Sequence, residues 1–442
     1  MRTIEIHGEL NPNFAWDGTR LCSDADFDAR TSPPYNLRGA ASLVRRGSEA
    51  SWRILRDPLG LNKLFWAQAD DGHVDVAARP RSLIDAGHHL DQISAIPRGC
   101  VADISPGNGT SAAQSIVPSS WSSREAQGGM SVQDAGDEIR KKLDGYLTAL
   151  AAAYPSAPVF VCLSGGLDSS GVAALARAHF RDVIAVSFDI GGSNKPASQD
   201  RVVAQRLAHD FNMPLLEVTV TENQLLQHID TVLVEGIDWR DFNVHAGLVN
   251  AALAAGIVRA RPAGQPAGPT LILTGDLANE FLVDYHSERY RENLYYELPR
   301  LPAAALRTSL VRGLDTCHRE IGVFAAWGLS VVQPYAVVAD AYMSLGDDFL
   351  ASGDRKEQLC RHIFGSLIPE YVYSRPKVRA QAGNPEVAGG VLAACVDRGL
   401  DKNWLRQRFA HLNSLTDTSS MDRFIRAGCY RSAIPTLAEE TH

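Results

Sequence analysis

The chain has 442 residues, of which 45% are hydrophobic and 21% charged, the ordinary balance of a globular protein. This length exceeds one ordinary core and predicts two domains with additional helices. The formal net charge of -8 is opposite to what neutralising a nucleic-acid backbone requires, so we expect no nucleic-acid partner.

The seven cysteines are scattered and include no C-x-x-C pair, which argues against a disulfide framework or a zinc site. The thirteen histidines show no ligand spacing such as H-E-x-x-H, so we expect no metal beyond Mg2+. Neither a signal peptide nor an apolar run of membrane-spanning length is visible, which predicts a cytoplasmic protein without a membrane partner. The sequence leaves the oligomeric state open, a homodimer included.

The first part of the chain is predicted to be a small β-rich domain over residues 1–115. Short apolar or alternating runs are separated there by Gly, Pro, Asp and Asn. The runs are Thr3–Ile6, Ala41–Val44, Trp52–Leu55, Leu64–Ala67, Val74–Ala77 and Val101–Ile104. A stretch rich in Ser, Gly and Gln follows and predicts a linker over residues 116–132, before a second domain over residues 133–442.

The second domain begins with a predicted helix whose apolar residues recur at helical spacing. They are Ile139, Leu143, Tyr146, Leu147 and Leu150. Strands then alternate with helices, which predicts an α/β domain with a parallel sheet covered on both faces. The predicted elements are the strands Val159–Val161, Val183–Phe188, Leu215–Val220 and Leu271–Thr274 and the helix Arg201–Phe211. From Tyr285 onward the chain is predicted to be mostly helical.

The segment Ser164–Ser170 has the sequence S-G-G-L-D-S-S and follows a predicted buried strand. Two adjacent glycines let the backbone close around an anion, and serine hydroxyls and helix-start N–H groups can donate to phosphate oxygens. Asp168 would repel a bare phosphate, so its expected use is to hold Mg2+. The order differs from the Walker P-loop, and it therefore predicts a different phosphate cradle.

This segment resembles the PP-loop of N-type ATP pyrophosphatases, and the chain as a whole resembles the asparagine synthetase family, including its β-lactam synthetase branch. The other motifs that carry the resemblance are Arg56–Trp66, Ile96–Gly99, Thr274–Glu280 and Arg375–Lys377. The resemblance implies an amidotransferase-like (Ntn-type) first domain, a PP-loop synthetase domain, and ATP and Mg2+ as cofactors. It implies that the residues that bind ATP are Ser164, Gly165, Gly166, Asp168, Ser169 and Ser170.

The chain also departs from the family. A class II glutamine amidotransferase uses an N-terminal cysteine whose own amine activates the thiol. Here Met1 is followed by Arg2, and the first cysteine is Cys22. We therefore expect no glutamine hydrolysis and interpret the first domain as a structural remnant, as in the β-lactam synthetase branch.

The second motif of the synthetase domain, Thr274–Glu280, has two substitutions. Asn279 stands where relatives place a second Mg2+-binding aspartate, and its neutral carbonyl oxygen should bind the metal more weakly. Asp276 stands where relatives carry a glutamate or a tyrosine, so it could act as a base toward an amine or serve as a metal ligand. Ser330 and Val332 stand where relatives carry a charged pair. This difference indicates that the part of the active-site pocket that binds the acceptor substrate differs from that of the relatives.

Further candidate residues lie elsewhere in the second domain. Lys377 in the late motif is the predicted catalytic ammonium. One positive charge there can stabilise both the phosphate oxygens when the acid is activated and the oxyanion that forms when the amine attacks. Asp189 ends the second strand near the expected nucleoside, although strand-end aspartates also cap turns. Asp238 and Asp241 could bind an amine, or Asp241 could cap the following helix. The loop Gly191–Gln199 is a candidate lid over ATP.

These residues predict an ATP-dependent, AMP-forming amide synthetase that joins a small-molecule or peptide carboxylate to an amine in specialised metabolism. The product could be a lactam, a macrolactam or an intermolecular amide. Two alternatives stay open at this point: an asparagine synthetase-like enzyme fed by free ammonia, and a non-catalytic nucleotide-binding protein.

Overall fold

The computed structural model describes residues 4–22, 26, 37–46, 52–70, 72–105, 109–110, 114–116, 130–191, 198–261, 268–314, 318–375, 383–384, 388–415 and 431–432. The strands are β1 (Ile4–Ile6), β2 (Ser42–Arg46), β3 (Trp52–Arg56), β4 (Phe65–Gln68), β5 (Val74–Ala77), β6 (Ser94–Ala95), β7 (Cys100–Ser105), β8 (Gly109–Thr110), β9 (Gln114–Ser115), β10 (Val159–Cys162), β11 (Val183–Ile190), β12 (Leu215–Val220), β13 (Leu271–Leu273), β14 (Glu288–Tyr290), β15 (Asn293–Tyr295), β16 (Ser330–Val332), β17 (Gly383–Asn384), β18 (Ala388–Gly389) and β19 (Arg431–Ser432). The helices are α1 (Pro80–Asp85), α2 (Val132–Ala153), α3 (Leu167–His179), α4 (Gln199–Asp210), α5 (Glu222–Leu226), α6 (Ile229–Glu235), α7 (Asp241–Ala260), α8 (Ala278–Leu282), α9 (Ala303–Gly313), α10 (Ile321–Ala325), α11 (Ala339–Met343), α12 (Asp347–Ala351), α13 (Arg355–Phe364), α14 (Glu370–Tyr373), α15 (Val391–Val396) and α16 (Lys402–Leu412).

The N-terminal region consists of two sheets, as the strand-rich sequence predicts. One has the order β1-β5-β4-β6-β19, and the other has the order β2-β3-β7-β8 with β9 paired to β7. Ile54 of the second sheet and Val76 of the first belong to one buried cluster, so the two sheets pack together through apolar side chains. Residues 431–432, from the predicted second domain, pair with Ser94–Ala95 and extend the first sheet.

The motif at Arg56 and Asp57 builds a buried turn in this region. Arg56 is fully buried and donates to the carbonyl oxygens of Gly60 and Asn62 at 2.7 and 3.0 Å. The Asp57 carboxylate accepts hydrogen bonds from the N–H groups of residues 59, 61 and 62. Burial raises the pKa of Asp57, and these hydrogen bonds act in the opposite direction. This motif therefore stabilises a turn, and nothing in its contacts requires a ligand.

The second domain contains a five-stranded parallel sheet with the order β12-β11-β10-β13-β16. The chain moves outward from β10 to β12 and then returns to the other side of β10 to form β13. Right-handed crossovers therefore place α3 and α4 on one face and α7 on the other. The strand order reverses between β10 and β13, and ligands bind at such a switch point, beyond the carboxyl ends of the strands.

Two long helices contribute buried residues to the core of this domain. In α2 the five residues of the predicted apolar face are all buried. In α7 the buried residues surround the axis, as expected for an interior helix. Helix α7 is long and apolar enough to cross a membrane by length and composition, which the sequence analysis did not anticipate. Of its most apolar window, 67% is buried inside the protein, the property of a core helix.

The expectation of a mostly helical segment after Tyr285 is only partly correct. Strands β14 and β15 form an antiparallel hairpin, and β16 is the fifth strand of the parallel sheet. Helix α13 ends at Phe364, because Gly365 adopts a φ of 49° and a tighter helical turn follows. The predicted linker lies almost entirely outside the described residues.

Candidate active site

The phosphate loop, Ser164–Ser170, joins β10 to α3 at the switch point of the sheet. Gly165 has a φ of 77°, and a Cβ there would lie within 3.0 Å of Val203 and Arg375, so no larger residue fits without movement. The hydroxyl of Ser169 accepts a hydrogen bond from the N–H of Ser164 at 3.2 Å and donates to the carbonyl of Gly166 at 3.1 Å. These bonds hold the turn in shape before any anion binds.

A first cavity of about 510 Å³ opens at this loop. Its wall includes residues 164–169, Ser187 and Phe188 at the end of β11, and residues 274–276 after β13. Two predicted ATP contacts do not belong to the described wall. Ser170 is fully buried inside α3, and the carboxylate of Asp189 lies 3.5 Å from Arg201. Their assignment to ATP binding stays a prediction.

The loop after β13 lies against the phosphate loop. A Cβ on Gly275 would lie 2.7 Å from the backbone nitrogen of Ser169, so this approach requires glycine. The structure thus brings together the first two motifs of the second domain, although about 100 residues separate them in sequence.

A lysine that the sequence analysis did not single out lies below the phosphate loop. The Nζ atom of Lys356 is 2.5 Å from Oδ2 of Asp168, 2.6 Å from Oδ1 of Asn279 and 2.9 Å from Oδ2 of Asp284. Burial lowers the pKa of Lys356, but the charges of the two aspartates raise it more, so the ammonium stays protonated. Three oxygen atoms therefore converge on one cation.

This arrangement also tests the predicted Mg2+ site. Asp168 and Asn279 lie together, and the buried Oδ1 atom of Asp168 accepts no hydrogen bond from the described residues. A carboxylate and an amide oxygen in this position fit the ligand preference of Mg2+. Asp276, the third residue of the predicted metal set, faces Arg319 instead, with 3.9 Å between Oδ1 and Nη2.

Arg319 is the centre of a carboxylate cluster, which we define as Asp276, Glu280 and Glu320. Its Nη2 atom lies 3.6 Å from Oε1 of Glu280, and its Nε atom donates to Glu320. Burial raises the pKa of Asp276 to about 7, repulsion by Glu320 adds to this, and the charge of Arg319 opposes it. Three acids around one arginine leave a net negative charge next to the phosphate loop.

A second cavity of about 580 Å³ adjoins the first. Four residues border both: Phe242, Tyr285, Arg319 and Glu320. The second cavity also carries apolar and aromatic side chains from several elements: Leu61, Trp239, Leu277, Tyr296 and Leu298. The carboxylate cluster therefore lies at the junction of two spaces, one at the phosphate loop and one with a mixed polar and apolar wall.

The two aspartates proposed as amine ligands are held differently. Asp238 accepts hydrogen bonds from Arg240 and from Asn243, so its charge is compensated within the protein. Asp241 borders the second cavity, and its Oδ2 atom lies 3.7 Å from Nζ of Lys402. The proposed capping role of Asp241 is wrong, because the N-cap residue of α7 is Arg240 and Asp241 is the first helical residue.

The late motif approaches the phosphate loop through its arginine. Arg375 donates to the carbonyl oxygen of Ser164 at 3.2 Å and pairs with Asp200 at the start of α4. Lys377, the predicted catalytic lysine, lies outside the described residues, as do six residues of the candidate lid, 192–197. No linear signal distinguished Lys356, Arg319 or Glu320 from ordinary surface charges, because only the fold brings them to the wall of the first cavity.

A parallel sheet with a glycine turn and serine hydroxyls at its switch point defines a nucleotide-binding domain of the PP-loop class. Residues 149–321 match the asparagine synthase family. This segment contains the phosphate loop, the loop after β13 and the carboxylate cluster. The resemblance to the asparagine synthetase family is therefore confirmed for this segment.

Several solved structures are similar to the chain at low sequence identity. An NH3-dependent NAD synthetase from Campylobacter jejuni is 19% identical, with 34% of this chain and 61% of that chain covered and a TM-score of 0.25. An NMN synthetase from Francisella tularensis is 13% identical, with 70% of this chain and 99% of that chain covered and a TM-score of 0.31. A glutamine-dependent NAD+ synthetase from Acinetobacter baumannii in complex with ADP is 15% identical, with 74% of this chain and 48% of that chain covered and a TM-score of 0.30. The chain thus spans 61% of the length of the first. No curated protein matches the chain. Because these TM-scores are low, the assignment of residues 149–321 to the family rests on the family match and on the geometry of the site.

Proposed function

We propose that this protein is an ATP-dependent, AMP-forming amide synthetase, which activates a carboxylate at the phosphate loop and joins it to an amine from the second cavity. One observation carries the proposal: the carboxylate cluster lies where the two cavities meet, beside the phosphate loop. An activated acid and a nucleophile would meet at such a junction.

In the first step, the loop binds the β- and γ-phosphates through its N–H groups and hydroxyls. A substrate carboxylate oxygen attacks the α-phosphorus, the bond to the β-phosphate oxygen breaks, and pyrophosphate leaves. Lys356 and Arg375 provide positive charge beside the loop. Mg2+ held by Asp168 and Asn279 would neutralise part of the triphosphate charge.

In the second step, the amine nitrogen attacks the acyl carbon, AMP leaves, and one proton must be removed from nitrogen. Asp276 is the proposed acceptor, because it lies in the cluster that would attract an ammonium group, and Arg319 holds the cluster together. Lys377 is proposed to stabilise the oxyanion of this step.

The second cavity favours a larger amine over ammonia. A space of about 580 Å³ with aromatic and charged walls exceeds the need of a four-atom molecule. The substrates we propose are small-molecule or peptide acids and amines of specialised metabolism, joined within one molecule or between two, in a cytoplasmic setting.

The test is to incubate the protein with ATP, Mg2+ and a panel of amino acids, β-amino acids and amines, and to measure pyrophosphate, nucleotide products and amides. We expect AMP and pyrophosphate in equal amounts, with amide formed only when both substrates are present. Asp168→Asn should abolish pyrophosphate release, and Asp182→Asn, at an exposed position, should not. Formation of ADP instead of AMP would contradict the proposal.

Two further outcomes separate the alternatives. Turnover with aspartate and ammonium alone, and with no larger amine, would identify an asparagine synthetase-like enzyme. Binding of ATP without pyrophosphate exchange for any acid would identify a non-catalytic nucleotide-binding protein.

A further inference from the structure

Part of the wall of the second cavity comes from the N-terminal region. The buried turn held by Arg56 and Asp57 continues to Lys63, and its side chains Leu61 and Lys63 border the cavity together with residues of the second domain. Leu61 is 5% exposed and Lys63 is 2% exposed, so the packing around them fixes both in position. A region that served only as a scaffold would not need to reach into this space.

The same turn, residues 57–63, also holds the end of helix α9. The last carbonyl groups of a helix have no partner inside it, and cations near this end are favourable. The Nζ atom of Lys63 donates to the carbonyl oxygen of Leu314, the C-cap residue of α9, at 2.7 Å. Arg98, in the motif Ile96–Gly99, donates to the carbonyl oxygen of Val311 at 3.1 Å. Both family motifs of the N-terminal region therefore contact the end of one helix.

These contacts bear on the cavity, because the last turn of α9 lines it. The wall residues from this end of the helix are Ser309, Leu310, Gly313 and Leu314. A further contact lies close to the carboxylate cluster: the Nδ2 atom of Asn11 is 3.4 Å from the Nε2 atom of His318, the residue before Arg319. His318 is buried and borders the cavity as well. The N-terminal region thus contributes to the wall directly and supports other parts of it.

We propose that the N-terminal region forms part of the amine site. The turn 57–63 closes one side of the second cavity, where Leu61 limits the size of the amine. Lys63 is a positioning residue that holds the end of α9 in place. This inference rests on the proposed function, because it takes the second cavity as the amine site. The N-terminal region then selects the substrate without carrying a step of the chemistry.

The composition of the wall indicates the class of amine. The side chain of Leu61 is accompanied by further apolar residues, which are Leu277, Leu310 and Ile321. Asp241 and Glu297 are the acids of the described wall outside the carboxylate cluster. Both lie 3.7 Å from Lys402, which compensates part of their charge. An apolar body therefore matches this wall better than a second charged group does.

The nitrogen of the amine has a separate set of acceptors. Gln333 directly follows β16, and its buried Oε1 atom accepts no hydrogen bond from the described residues. A buried acceptor without a donor costs free energy, which a substrate N–H group would recover. Gln333 borders the second cavity, as do Glu280 and Glu320 of the carboxylate cluster. The expected substrate is therefore a primary amine with an aliphatic or aromatic body, its nitrogen at these acceptors and its body against Leu61.

The test measures the binding of n-butylamine and n-octylamine to the full chain by NMR titration, which requires no turnover. Leu61→Ala removes most of an apolar side chain from the wall and makes room for a longer amine. Because one methylene group in an apolar pocket changes discrimination roughly 10–200-fold, we expect the ratio of the two dissociation constants to shift toward n-octylamine by at least about 10-fold. The matched control is Leu43→Ala. Leu43 is 6% exposed and lies in the N-terminal region outside both described cavity walls, so the ratio should stay unchanged.

Lys63→Met tests the positioning role. It should weaken the binding of both amines by about 10-fold or more, because a displaced end of α9 disturbs the wall. Binding of ATP should stay unchanged, since no described residue before Cys162 borders the first cavity. A general loss of structure would weaken ATP binding as well, and an equal loss for ATP and the amines would overturn the positioning role. Lys141→Met, at an exposed position of α2, is the control.

Any of the following results would overturn the proposal: no binding of either amine, the same ratio in Leu61→Ala and Leu43→Ala, or equally tight binding of n-octylamine and a diamine of the same length. If Leu61→Ala does not fold, Leu61→Val, which keeps most of the side chain, decides the ratio. Absence of pyrophosphate release with every acid would contradict the amide synthetase proposal alone, because amine binding is measured without ATP or acid.

Discussion

The ammonium of Lys356 lies 2.5 Å from the carboxylate of Asp168, and this ion pair connects helix α13 to the phosphate loop. Both side chains are largely buried, and Asn279 and Asp284 complete the oxygen shell of the ammonium. A lysine thus lies between Asp168 and Asn279, two of the three residues that the sequence predicts to hold Mg2+. It compensates the charge of Asp168 and provides a cation next to the phosphates before any metal binds.

Replacement of Lys356 by methionine should affect both stability and ATP binding. Removal of one partner of a buried ion pair costs about 3–5 kcal/mol, because the remaining charges stay buried without compensation. We therefore expect a lower free energy of unfolding and a higher KM for ATP, and part of the KM change should be recovered at high Mg2+. Urea unfolding and pyrophosphate-release kinetics measure the two effects. Lys141→Met, at an exposed position of α2, is the control.

If Lys356→Met matched Lys141→Met in stability and in KM, the ion pair would be dispensable and Lys356 would have no part in the site.

Asp276→Asn should separate the two steps of the reaction. Loss of a positioned proton acceptor typically costs about 10²–10⁴-fold in rate. The defect should appear in amide formation, whereas acid-dependent pyrophosphate exchange should continue, because the first step requires no proton acceptor on the amine side. The control is Asp397→Asn, on an exposed carboxylate outside both described cavity linings. Equal loss in both steps would instead support the metal-ligand role of Asp276.

Lys377→Ala should abolish amide formation and leave ATP binding nearly unchanged. Removal of one preorganised charge at an oxyanion costs about 10²–10³-fold in rate. Arg375, two residues earlier, donates to the carbonyl oxygen of Ser164 in the phosphate loop. Equilibrium binding of ATP and the yield of amide distinguish the two effects, with Lys141→Ala as the control. Full activity of Lys377→Ala would remove this lysine from the site.

The sequence was sufficient for features that depend on local pattern. The apolar spacing of α2 predicted its buried face, and the runs that became β5 and β12 were located with the correct ends. The phosphate loop was found because its glycines and serines follow a buried strand directly. In each case the signal lies within a short window, where backbone geometry and periodicity act.

The features that sequence reasoning missed depend on tertiary structure. Strand β16 has only three residues, and it becomes a strand because the edge of β13 pairs with it. Arg319 and Glu320 belong to the segment between β13 and β16. They come close to Asp276 only because this segment returns to the switch point of the sheet.

His245 should make the protein less stable as the pH falls below about 6.5. This histidine is buried in α7, its Nδ1 atom lies 2.8 Å from the hydroxyl of Tyr296, and burial lowers its pKa from 6.5 to about 3. Between these values the unfolded chain binds a proton that the folded protein excludes. The contribution of neutral His245 to the free energy of unfolding is therefore complete above pH 6.5. Between pH 6.5 and pH 3 this free energy falls by about 1.4 kcal/mol for each pH unit.

The prediction concerns the slope and not the stability at one pH, because His245→Gln alters packing as well. We expect the free energy of unfolding, measured in urea at about pH 7 and about pH 5.5, to fall less steeply in His245→Gln than in the unaltered protein. Burial also lowers the pKa of His318, so a residual slope should remain. His209→Gln removes an exposed imidazole and should keep the full slope. An identical slope in His245→Gln and in the unaltered protein would contradict the prediction. It would mean that His245 becomes protonated equally in the folded and unfolded states.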